Sequence, residues 1–458
     1  MEHERSGSIL TIGPLPGRRE RLSSPSATPR FDVAVLGGGP AGSAAALALA
    51  RRRRKVVVCE RDRFPRFHIG ESLLATTNDC FDALGLAERI RAAGFPEKRG
   101  ASLSNFDGTA GRPVDFTTSR EVRRPQTWQV SRARFDAILL DAAREAGVEV
   151  RHGRRVERCD FDGDGVTVRF ADGDGAAGEL RARAVVDASG RGGVLARQLG
   201  LRRDEPRLAN VAVYAHYAGV PRLPGERSGD IRLVARRDAG WFWLIPIDER
   251  LTSVGAVLPR ALYAGLPKGD PEAMLAALVA ETPAVAELMR EARREWPVRV
   301  EKDFSYRATA FAGDRWLLAG DAGAFLDPVF STGVSIALES GLEAARELDR
   351  ALADGDLSAR RFRRFERTQR RRFAVFRRFV LAFYTPWFRD LFFQPSAPPA
   401  IFRAVVTVLA GNWRPSLATR LLVDCFFLAV AVQRRFDLVP RLARRDAAGG
   451  FPLPGDAA

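Results

Sequence analysis

The segment Phe31–Glu60, FDVAVLGGGPAGSAAALALARRRRKVVVCE, constrains this chain more than any other. The apolar run Val33 to Leu36 leads straight into glycines at Gly37, Gly39 and Gly42, and an Ala-rich stretch, Ser43 to Ala50, follows. Lys55 to Cys59 is a second run of strand character. This is one βαβ unit with G-x-G-x-x-G at its first turn. The first glycine permits the tight turn, the second lets backbone approach a pyrophosphate, and the third lets helix and strand pack closely. The helix start then offers free N–H groups and a positive dipole end to phosphates. Glu60 closes the second strand, where a carboxylate accepts from ribose hydroxyls. Strand before, helix after and acid at the right distance together predict dinucleotide binding.

The rest of the chain organises around that unit. Residues 1–30 are rich in Ser, Pro, Gly and Arg and are expected to be disordered, as is the tail 446–458. A helix from Phe135 and the strand VEV precede alternating strands over 155–187 that end in AVVDASG. Alternating strands with a helix near Pro271–Arg290 fill 205–300, and RWLLAG (315–320) is another buried strand before a helix from about Gly333. The expected fold class is α/β. A Rossmann-like dinucleotide domain (31–205 and 300–350) carries an inserted sheet region (100–130 and 206–299). A helical region (355–445) follows.

The net charge is +16, nearly all from arginines spread along the chain. Such a surplus fits an acidic partner, an anionic surface or nucleic acid, or simply arginine-rich codon usage. Nothing matches a nucleic-acid-binding motif. Cys59, Cys80, Cys159 and Cys425 stand at neither metal-ligand nor disulfide-framework spacing, so free thiols in a reducing cytoplasm are expected. The histidines, His3, His68, His152 and His216, are too scattered for a metal site or a triad. No apolar run reaches the roughly 18 residues of a membrane span, and no secretory signal is visible.

Four motifs in order resemble the superfamily of aromatic hydroxylases, geranylgeranyl reductases and flavin-dependent halogenases: the glycine turn, WQVSRARFD (Trp128–Asp136), DASG (Asp187–Gly190) and GDAGAFLDP (Gly320–Pro328). The resemblance implies FAD as cofactor. It places Arg132 near the flavin, Asp321 on the ribityl chain, and Asp187, Gly190, Pro328 and Gly333 around the cofactor. A second G-x-G-x-x-G is missing, so no separate NAD(P)H domain is visible.

Two segments narrow the resemblance to flavin-dependent halogenases of the phenol and pyrrole type. FPRFHIGESLL (Phe64–Leu74) is similar to their signature before the active site, with Ile69, Gly70, Glu71 and Ser72 near the flavin. GWFWLIP (Gly240–Pro246) matches W-x-W-x-I-P at Trp241, Trp243, Ile245 and Pro246. Trp241 and Trp243 also suit a plain strand with aromatics on one face. The family's catalytic lysine corresponds to Lys98 in GFPEKRG, although a lysine in a turn is ordinarily a solvated charge. The resemblance runs over residues 31–440, most clearly to about 345.

In that family reduced flavin and O2 form a C4a-hydroperoxide, a halide attacks it, and a lysine directs the hypohalous acid to an electron-rich ring. Chloride or bromide would sit on backbone N–H groups of FSTGV, at Thr332 and Gly333, as suits an anion at a helix start. A lysine suits the relay because its pKa falls on burial. Ala75 departs from the usual Pro after GESLL. Phe330 stands where tryptophan halogenases carry a Glu, so free tryptophan is not the expected substrate.

Arg360–Arg378 carries ten arginines and one glutamate, with Phe362, Phe365, Phe373 and Phe376 on one helical face. It reads as a packed helix with a solvated basic face, as a docking face for an acyl or peptidyl carrier protein, or as a membrane-surface segment. The resemblance implies a halogenase of a small phenolic or pyrrolic substrate, free or carrier-tethered, with FADH2 supplied by a separate flavin reductase. A flavin monooxygenase or geranylgeranyl-reductase-like dehydrogenase is the alternative on the same fold, and a basic nucleic-acid-binding protein without turnover is a third.

Overall fold

The computed structural model describes residues 31–266, 269–302, 305–393 and 398–442. The expected disordered extension 1–30 and tail 446–458 lie outside the described residues.

The strand Phe31–Leu36 pairs in parallel with Val56–Cys59 on one side and with Ala177–Asp187 on the other. The helix Pro40–Ala50 connects the first two strands, with Pro40 supplying a ready-made first turn. Glu149–Arg151 extends this parallel core beyond Val56–Cys59, and Trp316–Leu318 extends it beyond Ala177–Asp187. The strands Arg155–Phe161 and Val166–Ala171 return antiparallel around one of the two DGDG turns. Parallel strands buried on both faces need continuous apolar runs, and VVVC and VAVL (Val33–Leu36) supply them.

The helices Arg132–Glu145 and Thr332–Asp354 pack against Pro40–Ala50. A Cβ at Gly341 would sit 2.3 Å from the Ala41 carbonyl oxygen, so only glycine lets the long Thr332–Asp354 helix approach this closely. That approach fixes the start of this helix relative to the glycine turn.

A second sheet is antiparallel for most of its width. Its order is Asn210–Ala218, Leu251–Pro259, Trp241–Pro246 and Ile231–Ala235. Gly100–Ser104 joins the edge in parallel, so residues near 100–115 and 210–259 share one sheet. The expected helix over Pro271–Arg290 is two helices, Pro271–Ala280 and Pro283–Met289. Pro283 lacks the N–H that would continue the first and instead starts the second.

The C-terminal helices Arg363–Phe383, Pro386–Phe392, Pro399–Leu409 and Leu417–Gln433 cover the inner face of this sheet. Phe376, Phe379, Phe383, Phe388 and Phe392 form one apolar cluster with Trp241 and Trp243. No helix among the described residues is long and apolar enough to cross a membrane.

Candidate active site

The glycine turn is built as the motif predicts. Gly37 has φ +98°, and a Cβ on Gly42 would lie 1.9 Å from the Gly37 carbonyl oxygen. Both positions are closed to side chains by the protein itself. Gly39 differs: a Cβ there would meet only the Arg66 guanidinium, 3.5 Å away. The space over Gly39 is therefore a cradle that backbone lines, which fits a pyrophosphate. The buried Glu60 carboxylate turns to the same place, accepting from Gly38 N–H at 2.6 Å and from Asp62 N–H at 2.8 Å. Each oxygen keeps a lone pair for a ribose hydroxyl.

Arg132 opens its helix and is buried. Its Nε and Nη2 hold Asp136 at 2.7 and 2.9 Å, and its Nη1 donates to the Ile69 carbonyl at 2.8 Å. The guanidinium thus pins the Ile69–Gly70 peptide, where Gly70 has φ +104°. Asp321 sits in the loop after the strand Trp316–Leu318; burial pushes its carboxyl up to about 6, against the pull of Arg132 and Arg191. Asp187 is committed within the protein: it accepts from Ser189 N–H, Ser189 hydroxyl and Leu195 N–H at 3.0, 2.5 and 2.7 Å. It shapes the strand-end loop that presents Gly190, whose missing Cβ faces open space.

Lys98 is not in a turn. Glu97–Lys98 pairs antiparallel with Thr127–Trp128, and the lysine is 2% exposed. Its Nζ donates to Ser72 Oγ and to the Leu73 carbonyl, both at 2.8 Å, and lies 5.4 Å from the Phe116 ring centre. The Gly-Glu-Ser segment reaches it because Leu73 N–H donates to Trp128 O and Val130 N–H to Glu71 O, bridging Ser72 to Gln129 on the other side of Thr127–Trp128. Burial lowers the Lys98 pKa to about 7, with Asp230 opposing. Such burial gives a substantial share of neutral amine near neutral pH, which a nucleophilic or relay lysine requires.

Trp241 and Trp243 share one face, ring centres 5.9 Å apart. Trp243 Nε1 donates to Ser253 Oγ at 3.1 Å and Trp241 Nε1 to Tyr384 OH at 2.9 Å. Pro246 ends this strand opposite Thr252. Phe330 packs edge-on against Phe379, Phe383 and Phe392. One residue on, Ser331 has φ +55° and launches the Thr332–Asp354 helix without a side-chain cap. Its first amides, at Thr332 and Gly333, thus belong to an uncapped helix start beside the aromatic wall.

An FAD-binding domain model matches residues 30–374. Over 328 residues the chain is 36% identical to the 1H-pyrrole-2-carbonyl-[peptidyl-carrier protein] brominase of Pseudoalteromonas luteoviolacea, covering 71% of this chain and 79% of that protein. The chain belongs to the flavin-dependent halogenase family. The crystal structure of a flavoprotein/dehydrogenase from Cytophaga hutchinsonii has TM-score 0.81 at 30% identity, covering 88% of this chain and 99% of that one. The myxobacterial chondrochloren halogenase CndH has TM-score 0.72 at 34% identity, covering 90% and 98%. The protein is thus an FAD-dependent enzyme with a halide as co-substrate.

Three side chains of this halogenase escaped the sequence reading. His216 Nε2 meets Glu71 Oε1 at 2.8 Å, both buried, while Glu71 Oε2 is buried with no partner among the described residues. That orphan acceptor, beside the Arg132-pinned peptide, suits a hydrogen-bond donor of a bound cofactor or its water. Asp327 Oδ2 accepts from Tyr384 OH at 2.8 Å and from Asn210 Nδ2 at 3.0 Å. Its Oδ1 accepts from Val329 N–H at 3.0 Å, capping the short turn Pro328–Phe330. The Asp-Pro pair carried an N-cap signal. His216 and Tyr384 carried none, because their partners lie 145 and 57 residues away.

Proposed function

We propose that this halogenase modifies an electron-rich phenolic or pyrrolic ring delivered on a carrier protein, and that Lys98 hands the oxidised halogen to it. The observation that carries this reading is Lys98 itself: a fully buried amine, pKa lowered to about 7, held between a serine hydroxyl and a peptide carbonyl.

Reduced FAD, with O2, supplies the oxidising power that turns halide into hypohalous acid. The chain's own residues do the rest. Gly38, Gly39 and Glu60 hold the nucleotide end, while Arg132 fixes the Ile69–Gly70 peptide. The amides of Thr332 and Gly333 attract the halide. Lys98 accepts or hydrogen-bonds the hypohalous acid and keeps it from diffusing freely. Phe330, Phe383 and the two tryptophans exclude water and separate the arene from the flavin side. Phe330 offers no carboxylate to orient an indole. The single glycine fingerprint supports a separate reductase as the source of FADH2.

The brominase relative acts, by its name, on a pyrrole-2-carbonyl group on a peptidyl carrier protein, which supports a tethered substrate here. The test is turnover with a flavin reductase, NADH, FAD and bromide or chloride, offering pyrrole-2-carbonyl and phenolic thioesters. The expected product gains one halogen mass and needs the reductase and the halide. A hydroxylated or reduced product that forms without halide would establish the monooxygenase or dehydrogenase alternative.

A further inference from the structure

Among the described residues seven large apolar side chains are exposed, and five of them lie between Leu417 and Leu438. Isolated exposed leucines are ordinary, but a cluster is a contact surface in waiting. On the helix Leu417–Gln433, residues 417, 421 and 428 fall within about 40° of one another. Leu417 and Leu428 are 73% and 65% exposed. The opposite face carries Val423, Phe426 and Val430 into the core. The helix is therefore already packed, and its outer stripe is surplus to folding.

Around the stripe the acidic groups are engaged, Glu121 by Ser416 and Thr419, while the free charges are basic. Asp424 lies on it but is neutralised by Arg378 at 2.5 Å, whose guanidinium covers Phe427. Arg414 and Arg420 flank the stripe's first turn, and no ion pair engages either among the described residues. Arg414 rests on the Trp413 ring, 4.0 Å from its centre. An apolar strip edged by unpaired guanidinium groups matches an acidic surface with an apolar centre.

An opening stands at the foot of the same helix. A crevice of about 440 Å³ is lined by Ala75, Thr76, Glu121, Val122 and Asn412 among others. Glu121 ties it to the helix, accepting from Ser416 N–H and hydroxyl at 2.8 and 2.7 Å and from Thr419. Its wall at Ala75 is two residues beyond Leu73, whose carbonyl holds Lys98. That is roughly 7 Å of chain. Ala75 stands where the family signature has proline, so the wall is also slimmer here.

We propose that the outer face of Leu417–Gln433 docks the acidic carrier protein, and that the carrier's thioester arm enters by the Ala75–Asn412 crevice toward Lys98. This rests on the tethered-substrate reading above and adds where the carrier sits. The probes are pyrrole-2-carbonyl on a peptidyl carrier protein and the same acyl group on N-acetylcysteamine. The variants are Leu421→Asp with Leu428→Asp, and Arg414→Glu with Arg420→Glu; none of these four side chains is in the catalytic machinery.

Each pair is expected to raise KM for the loaded carrier about tenfold or more and to leave the small thioester within about twofold. The arginine effect should shrink at high salt and the leucine effect should persist. A loaded carrier that remains a good substrate with unmoved KM in both pairs overturns the docking face. So does co-sedimentation with phosphatidylserine vesicles, or a dimer, that Leu421→Asp abolishes while the carrier KM stays put. Turnover by the unaltered enzyme of untethered arenes alone removes the tethered-substrate reading, and the docking face with it.

Discussion

The glycine turn and the lysine pocket are made by opposite means. At the turn the chain offers backbone: Gly37, Gly39 and Gly42 work by lacking side chains, and all fall within one strand–helix unit. At Lys98 the chain offers a side chain, and three separate segments must converge to bury it: Glu71–Leu73, Glu97–Lys98 and Thr127–Val130. The first region depends on missing side chains, so a single added atom at Gly37 or Gly42 meets backbone. The second works by burial, so its chemistry depends on how dry the pocket stays. If the proposed roles hold, cofactor retention and halogen delivery rest on separate regions, and substitutions should separate them.

The largest effect is expected at Gly39. Its missing Cβ faces only Arg66 within the protein, so Gly39→Val should fold and yet lose FAD binding altogether. Gly42→Val is the contrast, because a Cβ there collides with the Gly37 carbonyl at 1.9 Å and should cost the fold itself. Flavin absorbance beside far-ultraviolet circular dichroism reads both. Full flavin retention by Gly39→Val would move the phosphate site elsewhere.

Lys98→Ala comes next. It should keep FAD, keep consuming O2 and lose halogenated product by about 100-fold or more. Lys98→Arg should fail nearly as badly, since a guanidinium stays protonated. Oxygen uptake measured beside product mass separates delivery from oxidation. Wild-type halogenation by Lys98→Ala would remove Lys98 from the mechanism.

How much of this was visible in the chain follows from the same contrast. The βαβ unit was legible because glycine spacing, apolar runs and Glu60 all lie within thirty residues, and local steric rules decide them. Trp241 and Trp243 were legible as one face because strand alternation is local. The setting of Lys98 was not: GFPEKRG reads as a turn, and only pairing with Thr127–Trp128 makes it a strand. The break at Pro283 was available from the sequence and outweighed by apolar periodicity. The links Glu71–His216 and Asp327–Tyr384 join positions 145 and 57 residues apart, and nothing in either short segment specifies its partner. For the C-terminal helices the phenylalanine spacing gave the buried face, while nothing local marks Leu417, Leu421 and Leu428 as exposed.

The burial that tunes Lys98 should also appear as a pH-dependent stability. Its folded pKa is about 7 against an ordinary 10.5. Between those values the unfolded chain binds more protons than the folded one, so stability rises with pH, by up to about 1.4 kcal/mol per unit from this group. Below pH 7 the folded state carries the full desolvation penalty. Lys98→Met should therefore stabilise most at pH 6 and progressively less toward pH 10, read by thermal denaturation across that range. An equal shift at every pH would mean that the amine is solvated and the pocket wet.

The smallest expected effect lies at Tyr384, where the C-terminal helices touch the chemistry. Tyr384→Phe removes the hydroxyl that donates to Asp327 and accepts from Trp241, leaving a buried indole N–H unpaired. The loss should be about 1–3 kcal/mol. Burial already pushes the Asp327 carboxyl up to about 6, with Asn210, Tyr384 and Val329 holding it down. Without the Tyr384 hydroxyl its pKa should climb further, since a hydrogen bond to the charged form is gone. An acid whose folded pKa exceeds its unfolded value contributes stability at low pH that fades as pH rises through the folded pKa. The unpaired indole costs the same at every pH, so the variant's deficit should be present at pH 5 and larger at pH 8. The same carboxylate caps the turn leading to Thr332 and Gly333, so the halide KM should rise a few-fold while FAD affinity holds. Equal deficits at both pH values, with an unchanged halide KM, would reduce Tyr384 to packing and leave the halide loop independent of the C-terminal helices.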